Sequence, residues 1–239
     1  MTARGVAYAG HDLEALADLP RYQDWILSRF HPHLRGDMVE YGAGIGNIAH
    51  MVRPWVDRLT LVEPAGNLLP RLRQRFAGDD RVAVAEASIE EHATAQPAET
   101  FDAVMLVNVL EHVADDAAVL RQFHRILRPD GRLLLFVPAL PALYSDMDRL
   151  LGHHRRYRRA PLMAAIAAAG FTAERCHYLD AAGALAWWLV FTKGRRTRFD
   201  TNAAALFDRV VVPLTRPLER LCPPPWGKNL VLVARKTQP

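Results

Sequence analysis

The sequence of 239 residues has little of what marks secreted, membrane-spanning or strongly charged proteins. Its two cysteines, Cys176 and Cys222, form no CxxC pair, which argues against a disulfide framework or a zinc knuckle. The longest apolar run covers residues 181–191, whereas a membrane span needs about 20 residues. No secretion signal is recognised, so we expect two reduced thiols in a cytoplasmic protein.

Neither sign of charge dominates. Thirty Lys and Arg residues face 26 Asp and Glu residues, which gives a net charge of +4, and half of the residues are apolar, as in ordinary globular proteins. The basic excess is concentrated at residues 149–159 and 195–198. A local anionic partner is therefore a better expectation than nucleic acid, which we do not expect to bind.

Short Val- and Leu-rich segments alternate with helical patterns through the first half of the chain. We predict strands at residues 38–44, 59–64, 82–87, 101–108 and 132–138. We predict helices at residues 46–56, 67–76 and 111–127, with the sequence RPDG (128–131) as the stop and turn after the last of them. Such alternation is typical of a doubly wound α/β fold with a parallel sheet.

The remaining segments are assigned around this core. A helix is expected after Pro20, another from Pro161 to Gly170, a strand at 172–179 and a last strand at 229–235. We interpret the chain as a single domain, 1–239, in which residues 37–138 form a cofactor-binding core. The polar connection 139–160 would be a substrate lid, and residues 181–222 a helical cap.

A glycine-rich turn follows the first predicted strand, in the sequence EYGAGIGN from Glu40 to Asn47. Gly42, Gly44 and Gly46 allow a tight turn and close approach to a ligand, although such turns also occur at ordinary strand–helix junctions. The spacing departs from G-x-G-x-x-G. The carboxylate of Glu40 would repel a pyrophosphate but accept a hydrogen bond from an ammonium group.

A second acid stands at the end of the second strand. Glu63 lies 17 residues beyond Gly46, close to the spacing at which an acid binds ribose hydroxyls. The alternative is a charged cap on the next helix, which we expect to begin near Pro64.

These features and their order resemble the class I S-adenosylmethionine-dependent methyltransferases. The resemblance covers residues 37–138 and rests on EYGAGIG, Glu63, AEASIEE, FDAVMLVNVLEHV and LRPDGRLLLFVP. It implies a Rossmann-like, seven-stranded, mostly parallel sheet with an antiparallel last strand, and S-adenosyl-L-methionine as cofactor. Segments further on resemble small bacterial methyltransferases found near sugar-transferring enzymes.

The resemblance also implies positions that bind the cofactor. Glu40 and the glycine turn would hold the methionine end, Glu63 the ribose, and Ala87, Ser88 and Ile89 the adenine. In place of the aspartate that many members carry there, this chain has Glu86-Ala87-Ser88. The full expected set is Tyr22, Glu40, Gly42, Ala43, Gly44, Gly46, Glu63, Pro64, Ala87, Ser88, Ile89, Asn108 and Val109. His112 fits either a ligand or catalyst or an ordinary helix start.

The sequence GHHRRYRR, residues 152–159, follows the fifth strand and should lie at the ligand-binding edge of the sheet. We take His153, His154 and Tyr157 as catalytic candidates, because a histidine can accept the proton of an acceptor hydroxyl or amine. The candidates for binding the acceptor are Tyr144, Arg155, Arg156 and Trp187. The alternative is a mobile basic lid with structural ion pairs to acids such as Asp146 and Asp148. No metal-ligand spacing is recognised, so no metal site is predicted.

The expected function is methyl transfer to a small-molecule or lipid-linked acceptor, at oxygen, in biosynthesis of a natural product or glycolipid. A C-, N- or carboxyl-methyltransferase of the same fold and a non-catalytic cofactor-binding scaffold are the alternatives. The apolar segment around Trp187 and Trp188 is expected in the core, in a pocket wall or in peripheral contact with a membrane. The oligomeric state stays open.

Overall fold

A seven-stranded sheet organises the computed structural model, which describes residues 19–198 and 200–237. The strands lie in the order β3-β2-β1-β4-β5-β7-β6. Six of them run in the same direction, and β7 runs antiparallel to them between β5 and β6. Their bounds are β1 Asp37–Tyr41, β2 Arg58–Val62, β3 Val82–Ala85, β4 Phe101–Val107, β5 Leu127–Pro138, β6 Phe171–Leu179 and β7 Asn229–Lys236. The predicted fold, including the antiparallel last strand, is confirmed.

Ten α-helices are assigned within the described residues. They are α1 Pro20–Ser28, α2 Asn47–Val52, α3 Leu69–Arg75, α4 Ile89–Ala95, α5 Asp116–Ile126, α6 Asp146–Leu150, α7 Arg159–Ala168, α8 Ala181–Trp187, α9 Thr201–Leu206 and α10 Val212–Leu221. A π-helical segment, Trp188–Lys193, continues α8, and a second, Phe207–Val211, joins α9 to α10. The helices predicted for residues 181–222 are thus confirmed.

The sheet separates two hydrophobic cores because side chains alternate along each strand. In β5, Leu133 and Leu135 join the core beneath α4, α5 and α7, whereas Leu134 and Phe136 join the core beneath α1, α2 and α3. All four side chains are fully buried, as expected for a strand covered on both faces.

Three predicted boundaries were wrong. The helix predicted from residue 111 begins at Asp116, because the Asp115 side chain caps it by accepting from the Ala118 N–H at 2.9 Å. Residues 110–112 form a separate 3₁₀ turn. The sequence RPDG belongs to β5, where Asp130 has a positive φ and the pairing with β4 shifts register, as in a bulge. Helix α3 begins at Leu69 and not near Pro64.

The connection after β5 leaves and returns at the carboxyl edge of the sheet. Tyr157 donates its backbone N–H to Pro138 and accepts from Leu140, so the ends of the connection are pinned together. The connection contains a short helix, α6, that the sequence analysis did not predict. The sequence GHHRRYRR therefore lies at the carboxyl edge of the sheet, as predicted.

The helices after β6 are tied to the first helix through Asp208. Its carboxylate accepts the backbone N–H of Tyr22 at 2.7 Å and of Arg21 at 3.3 Å, which would otherwise lack partners at the start of α1. Within the described ranges, no helix combines the length and the apolar composition that a membrane span requires.

Candidate functional site

The glycine turn lies at the carboxyl end of β1 and contacts the segment that follows β4. Gly42 has a φ of +69°, and a Cβ built on it would lie 2.4 Å from Cγ2 of Val109. Gly44 and Gly46 also have positive φ, and Gly46 precedes α2 as its N-cap residue. The close approach of Val109 therefore requires glycine at 42, and it places the residues after β4 against the turn.

Glu40, one residue before the end of β1, is a buried acid without a partner for one of its oxygens. The residue is 3% exposed, and Oε2 accepts no hydrogen bond. Burial and, secondarily, the charge of Glu63 raise the pKa of Glu40 to about 8. An unsatisfied buried carboxylate is costly unless a donor reaches it. The site therefore fits an ammonium group beside the glycine turn.

Glu63 is held in place by two backbone groups. Its carboxylate accepts the N–H of Gly44 and of Ala65, each at 2.8 Å. Burial raises its pKa, and these two hydrogen bonds oppose the rise. Because α3 begins six residues later, Glu63 does not cap that helix; instead it joins the glycine turn to the end of β2, directly before Pro64.

Ser88 is the N-cap of α4. Its hydroxyl accepts the Glu91 N–H at 3.1 Å, and its own N–H donates to the Glu91 carboxylate at 2.9 Å, which completes a capping box. The hydroxyl proton remains available to a ligand, whereas the backbone N–H is already used. Ile89 is buried in the core, and Ala87 packs against it.

A polar network connects α1 with the ends of three strands. The Tyr22 hydroxyl contacts Asp180 at 3.0 Å and Asn229 at 3.1 Å, and the Asn229 amide donates to Asn108 at 3.4 Å. Lys228 lies 4.7 Å from the Tyr22 ring centroid and 3.3 Å from Asp180. Burial, and then Asp180, raise the pKa of Tyr22 well above its ordinary value. Tyr22 thus reaches Asn108, at the end of β4, only through Asn229.

Arg156 is buried as one half of an ion pair. Its Nε donates to Asp148 at 2.7 Å, its Nη1 donates to the Ala139 carbonyl, and its guanidinium stacks over the Trp187 ring at 4.6 Å. The Trp187 indole N–H donates to the Leu143 carbonyl at 3.1 Å. The Arg156 side chain is 1% exposed and so has little surface left for an acceptor. The structure therefore supports the alternative of a structural ion pair.

His153 is oriented by the same acid. Its Nδ1 lies 3.0 Å from Oδ1 of Asp148, and its Nε2 lies 3.9 Å from Oε1 of Glu111. Burial alone would raise the pKa of Asp148, but the hydrogen bonds from His153 and Arg156 lower it overall. If Nδ1 carries the proton, the lone pair of Nε2 faces Glu111.

Glu111 and His112 complete a cluster with His153. Glu111 is fully buried and neither carboxylate oxygen has a hydrogen-bond partner; burial raises its pKa to about 8. The His112 and His153 rings meet edge to face, with centroids 4.7 Å apart. Desolvation and the charges of His153 and His154 lower the pKa of His112 to about 4, so it is neutral near pH 7.

The other candidates in this segment divide into exposed and packed residues. His154 is exposed, and its backbone N–H donates to the Glu111 carbonyl at 2.8 Å. Arg155 is partly exposed and pairs with Asp116 at 2.9 Å. The Tyr144 hydroxyl donates to the His153 carbonyl at 2.6 Å.

Tyr157 lies in the core. Its hydroxyl contacts the Leu110 carbonyl at 3.1 Å and Asp116 at 3.0 Å. Burial, followed by the charge of Asp116, raises its pKa. These contacts hold the segment after β5 to the segment after β4.

Sequence reasoning missed Glu111 and Asp148 as members of one cluster. Glu111 was interpreted as a helix-start residue and Asp148 as an arginine partner. The only signal was local: Glu111 and His112 follow β4 on the ligand edge. Their assembly with His153 requires the chain to return after 41 residues, a separation that no sequence spacing describes.

The order of the strands, the glycine turn, Glu40 near the end of β1 and Glu63 just after β2 are features of the class I S-adenosylmethionine-dependent methyltransferase fold. A family profile described as a methyltransferase domain matches residues 11–190, and the chain therefore belongs to this family. The prediction of a methyltransferase is confirmed, as is the prediction of S-adenosylmethionine as its cofactor. No significant match was found among curated proteins.

Solved structures share the fold at low sequence identity. An S-adenosylmethionine-dependent methyltransferase from Mesorhizobium loti has a TM-score of 0.64 and 16% identity, covering 92% of this chain and 99% of that one. The 1,6-didemethyltoxoflavin-N1-methyltransferase of Burkholderia thailandensis, bound to 1,6-didemethyltoxoflavin and S-adenosylhomocysteine, has a TM-score of 0.60 and 20% identity. The match covers 95% of this chain and 84% of that one.

A third similar structure binds a phosphorylated acceptor. An N-methyltransferase of Haemonchus contortus, in complex with phosphomonomethylethanolamine and S-adenosylhomocysteine, has a TM-score of 0.62 and 16% identity, covering 95% of this chain and 58% of that one.

Proposed function

We propose that this protein is a cytoplasmic methyltransferase that methylates an oxygen atom of a small-molecule or lipid-linked acceptor, in biosynthesis of a natural product or glycolipid. The observation that carries the cofactor half of the proposal is the unpartnered Glu40 oxygen beside the glycine turn. It would supply an acceptor for the ammonium group at the methionine end of the cofactor.

The cofactor would be held by residues from four strand ends. Glu40, Gly42, Ala43, Gly44 and Gly46 would bind its methionine end. Glu63 and Pro64 would bind the ribose, while Ala87, Ser88 and Ile89 would frame the adenine. Asn108 and Val109 would lie under the sulfonium, and Tyr22 would support Asn108 through Asn229. When bound, S-adenosylmethionine supplies an electrophilic methyl group, and the protein's task is to hold the acceptor in line with it.

The acceptor would bind between the segment after β4 and the lid. Val109 contacts the glycine turn, and Glu111 and His112 follow it by two and three residues. His153 reaches the same place from the lid, and His154 and Arg155 border it. An acceptor hydroxyl has to lose its proton, and an acceptor bound here would have this cluster of neutral imidazole and buried carboxylate beside it.

The cap supports a lipid-linked acceptor. Leu206, Val210, Leu214 and Leu218 recur at every fourth position from α9 to α10 and are 49–65% exposed. The π-helical segment turns less per residue than an α-helix, which helps to keep this spacing on one side. We call these four residues the cap stripe.

Basic residues accompany the cap stripe. Arg209 and Arg220 lie on the same helices and are exposed, as are Lys193, Arg195, Arg196 and Arg198 after α8. An apolar stripe beside arginines suits the surface of an anionic membrane, which would bring a lipid-linked acceptor to the lid.

Transfer of a labelled methyl group from S-adenosylmethionine into cytosolic and membrane-lipid extracts tests the proposal. We expect labelled product that is stable to mild base, as methyl ethers are and carboxyl methyl esters are not. Mass spectrometry of the product then separates oxygen from nitrogen and carbon methylation. Tight donor binding without labelling of either extract would favour the non-catalytic scaffold.

A further inference from the structure

We propose that Glu111, His112 and His153 form a binding site for a divalent first-row transition metal ion, such as Zn²⁺ or Mn²⁺, at the acceptor side of the pocket. One donor atom from each residue lies within 4.8 Å of the other two. The metal-binding part of this inference stands on these residues alone. The role that it gives the ion in catalysis rests on the proposed function.

The strongest indication is the state of Glu111. Its side chain is fully buried, yet both carboxylate oxygens lack a hydrogen-bond partner. A buried carboxylate that faces no donor costs several kilocalories per mole unless it is neutralised or bound by a cation. Nε2 of His153, which could share an ion with this carboxylate, lies 3.9 Å from Oε1.

His153 has the arrangement of a metal ligand held by an outer acid. Its Nδ1 lies 3.0 Å from Asp148, so Nε2 is free and directed toward Glu111. Metal-binding histidines usually donate their other ring N–H to a carboxylate, which fixes the ring and its tautomer. Asp148 is in turn fixed by Arg156 and by the Ser145 hydroxyl and N–H.

The spacing leaves room for an ion after a small closure. Donor atoms about 2.1 Å from one ion stand roughly 3–3.5 Å apart, so these side chains need to approach by about an ångström. The His112 ring already meets the His153 ring edge to face. Both segments that carry the ligands are joined by the hydrogen bond from His154 to the Glu111 carbonyl.

The ligand chemistry selects the kind of ion. Two imidazoles and one carboxylate suit Zn²⁺, Fe²⁺ or Mn²⁺, whereas Mg²⁺ prefers a shell made of oxygen atoms. Three protein ligands leave at least one coordination position open. An acceptor hydroxyl in that position would lose its proton more readily, so His153 would serve as a ligand in place of a general base.

The test is calorimetric titration of the chelator-treated full chain with ZnCl₂ and with MnCl₂. We expect one ion per chain with a micromolar or lower dissociation constant for Zn²⁺. Affinity should fall at least tenfold in Glu111→Gln and in His153→Ala. Asp148→Asn should lose about 10- to 100-fold, the usual effect of removing an outer acid. The control His50→Ala removes an exposed histidine on α2 and should bind like wild type.

Failure of this inference is distinguishable from failure of the proposed function. S-adenosylhomocysteine binding, measured on the same samples, should be unchanged in Glu111→Gln. Zinc binding that survives in both Glu111→Gln and His153→Ala overturns the metal site, as does wild-type protein that binds S-adenosylhomocysteine but neither ion. Circular dichroism shows whether a variant is poorly folded. In that case the wild-type melting temperature provides the test: we expect Zn²⁺ but not Mg²⁺ to raise it, and no rise with Zn²⁺ overturns the metal site.

Discussion

Arg156 and Asp148 form a buried ion pair, with Nε 2.7 Å from Oδ1, at the point where the lid returns to the sheet. Asp148 also accepts from Ser145 and contacts His153, so one carboxylate fixes α6, the basic segment and an imidazole of the candidate site. Three residues of GHHRRYRR, namely His153, Arg156 and Tyr157, therefore belong to a packed structure and not to a solvated turn.

Because of this ion pair, we expect the two neighbouring arginines to contribute very differently to the free energy of unfolding. Arg156→Ala leaves Asp148 buried without its main cation, and we expect a loss of about 3–5 kcal/mol in the free energy of unfolding. Arg155→Ala, the control, removes a partly exposed pair with Asp116 and should cost less than about 1 kcal/mol. Urea denaturation measures both. Equal losses would contradict the structural role of Arg156.

Arg155 has its own expected effect on kinetics. If it attracts an anionic acceptor, Arg155→Ala should raise the acceptor's KM with little change in kcat, and the difference from wild type should shrink at high salt. Initial rates at low and high ionic strength measure this. A salt-independent drop in kcat would remove the steering role.

Cofactor binding should depend on Glu63 more than on a nearby exposed acid. Glu63→Ala removes the carboxylate that we propose binds the ribose and that accepts from Gly44, so S-adenosylhomocysteine should bind more weakly by about 1–3 kcal/mol. The control Glu90→Ala changes an exposed acid on α4. Calorimetry compares the two; unchanged affinity in the Glu63 variant would falsify its ribose role.

Glu40 should make stability depend on pH. Its pKa is about 8 in the folded chain and about 4.5 in the unfolded chain, so its contribution is complete below about pH 4.5 and is lost as pH rises through 8. Glu40→Gln removes this loss. The stability of the variant relative to wild type should therefore increase between pH 5 and 8, by at most about 1.4 kcal/mol per pH unit.

The same variant separates stability from binding. Glu40→Gln should lose most of its affinity for S-adenosylhomocysteine, because the amide cannot pair with the ammonium group as a carboxylate does. Urea denaturation at several pH values and calorimetry at pH 8 provide the two measurements. A Gln variant that binds like wild type would show that Glu40 does not contact the cofactor.

The cap stripe predicts selective membrane binding. Leu214→Gln with Leu218→Gln should reduce cosedimentation with phosphatidylglycerol vesicles several-fold, and wild type should bind phosphatidylcholine vesicles only weakly. The control Trp55→Gln alters an exposed aromatic residue in the turn after α2, outside the cap. Equal binding of wild type and the double variant to the anionic vesicles would leave the stripe without this role.

The sequence alone determined the parts of the molecule that depend on local periodicity. Val- and Leu-rich runs and the glycine turn specified β1 to β5 and their order along the chain, because a strand buried on both faces has to be apolar throughout. Boundaries failed where one side chain decides them. Asp115 ends the turn after β4 and starts α5 by capping it, which apolar spacing does not reveal.

Only the tertiary structure decided what the polar residues do. Arg155 and Arg156 are neighbours of the same type, yet one reaches solvent and the other lies buried against Asp148 and Trp187. Glu111 and His153 meet because β5 carries the chain away and the lid returns it to the end of β4. Burial and long-range proximity are properties of the folded chain, so the sequence named these residues but could not assign their partners.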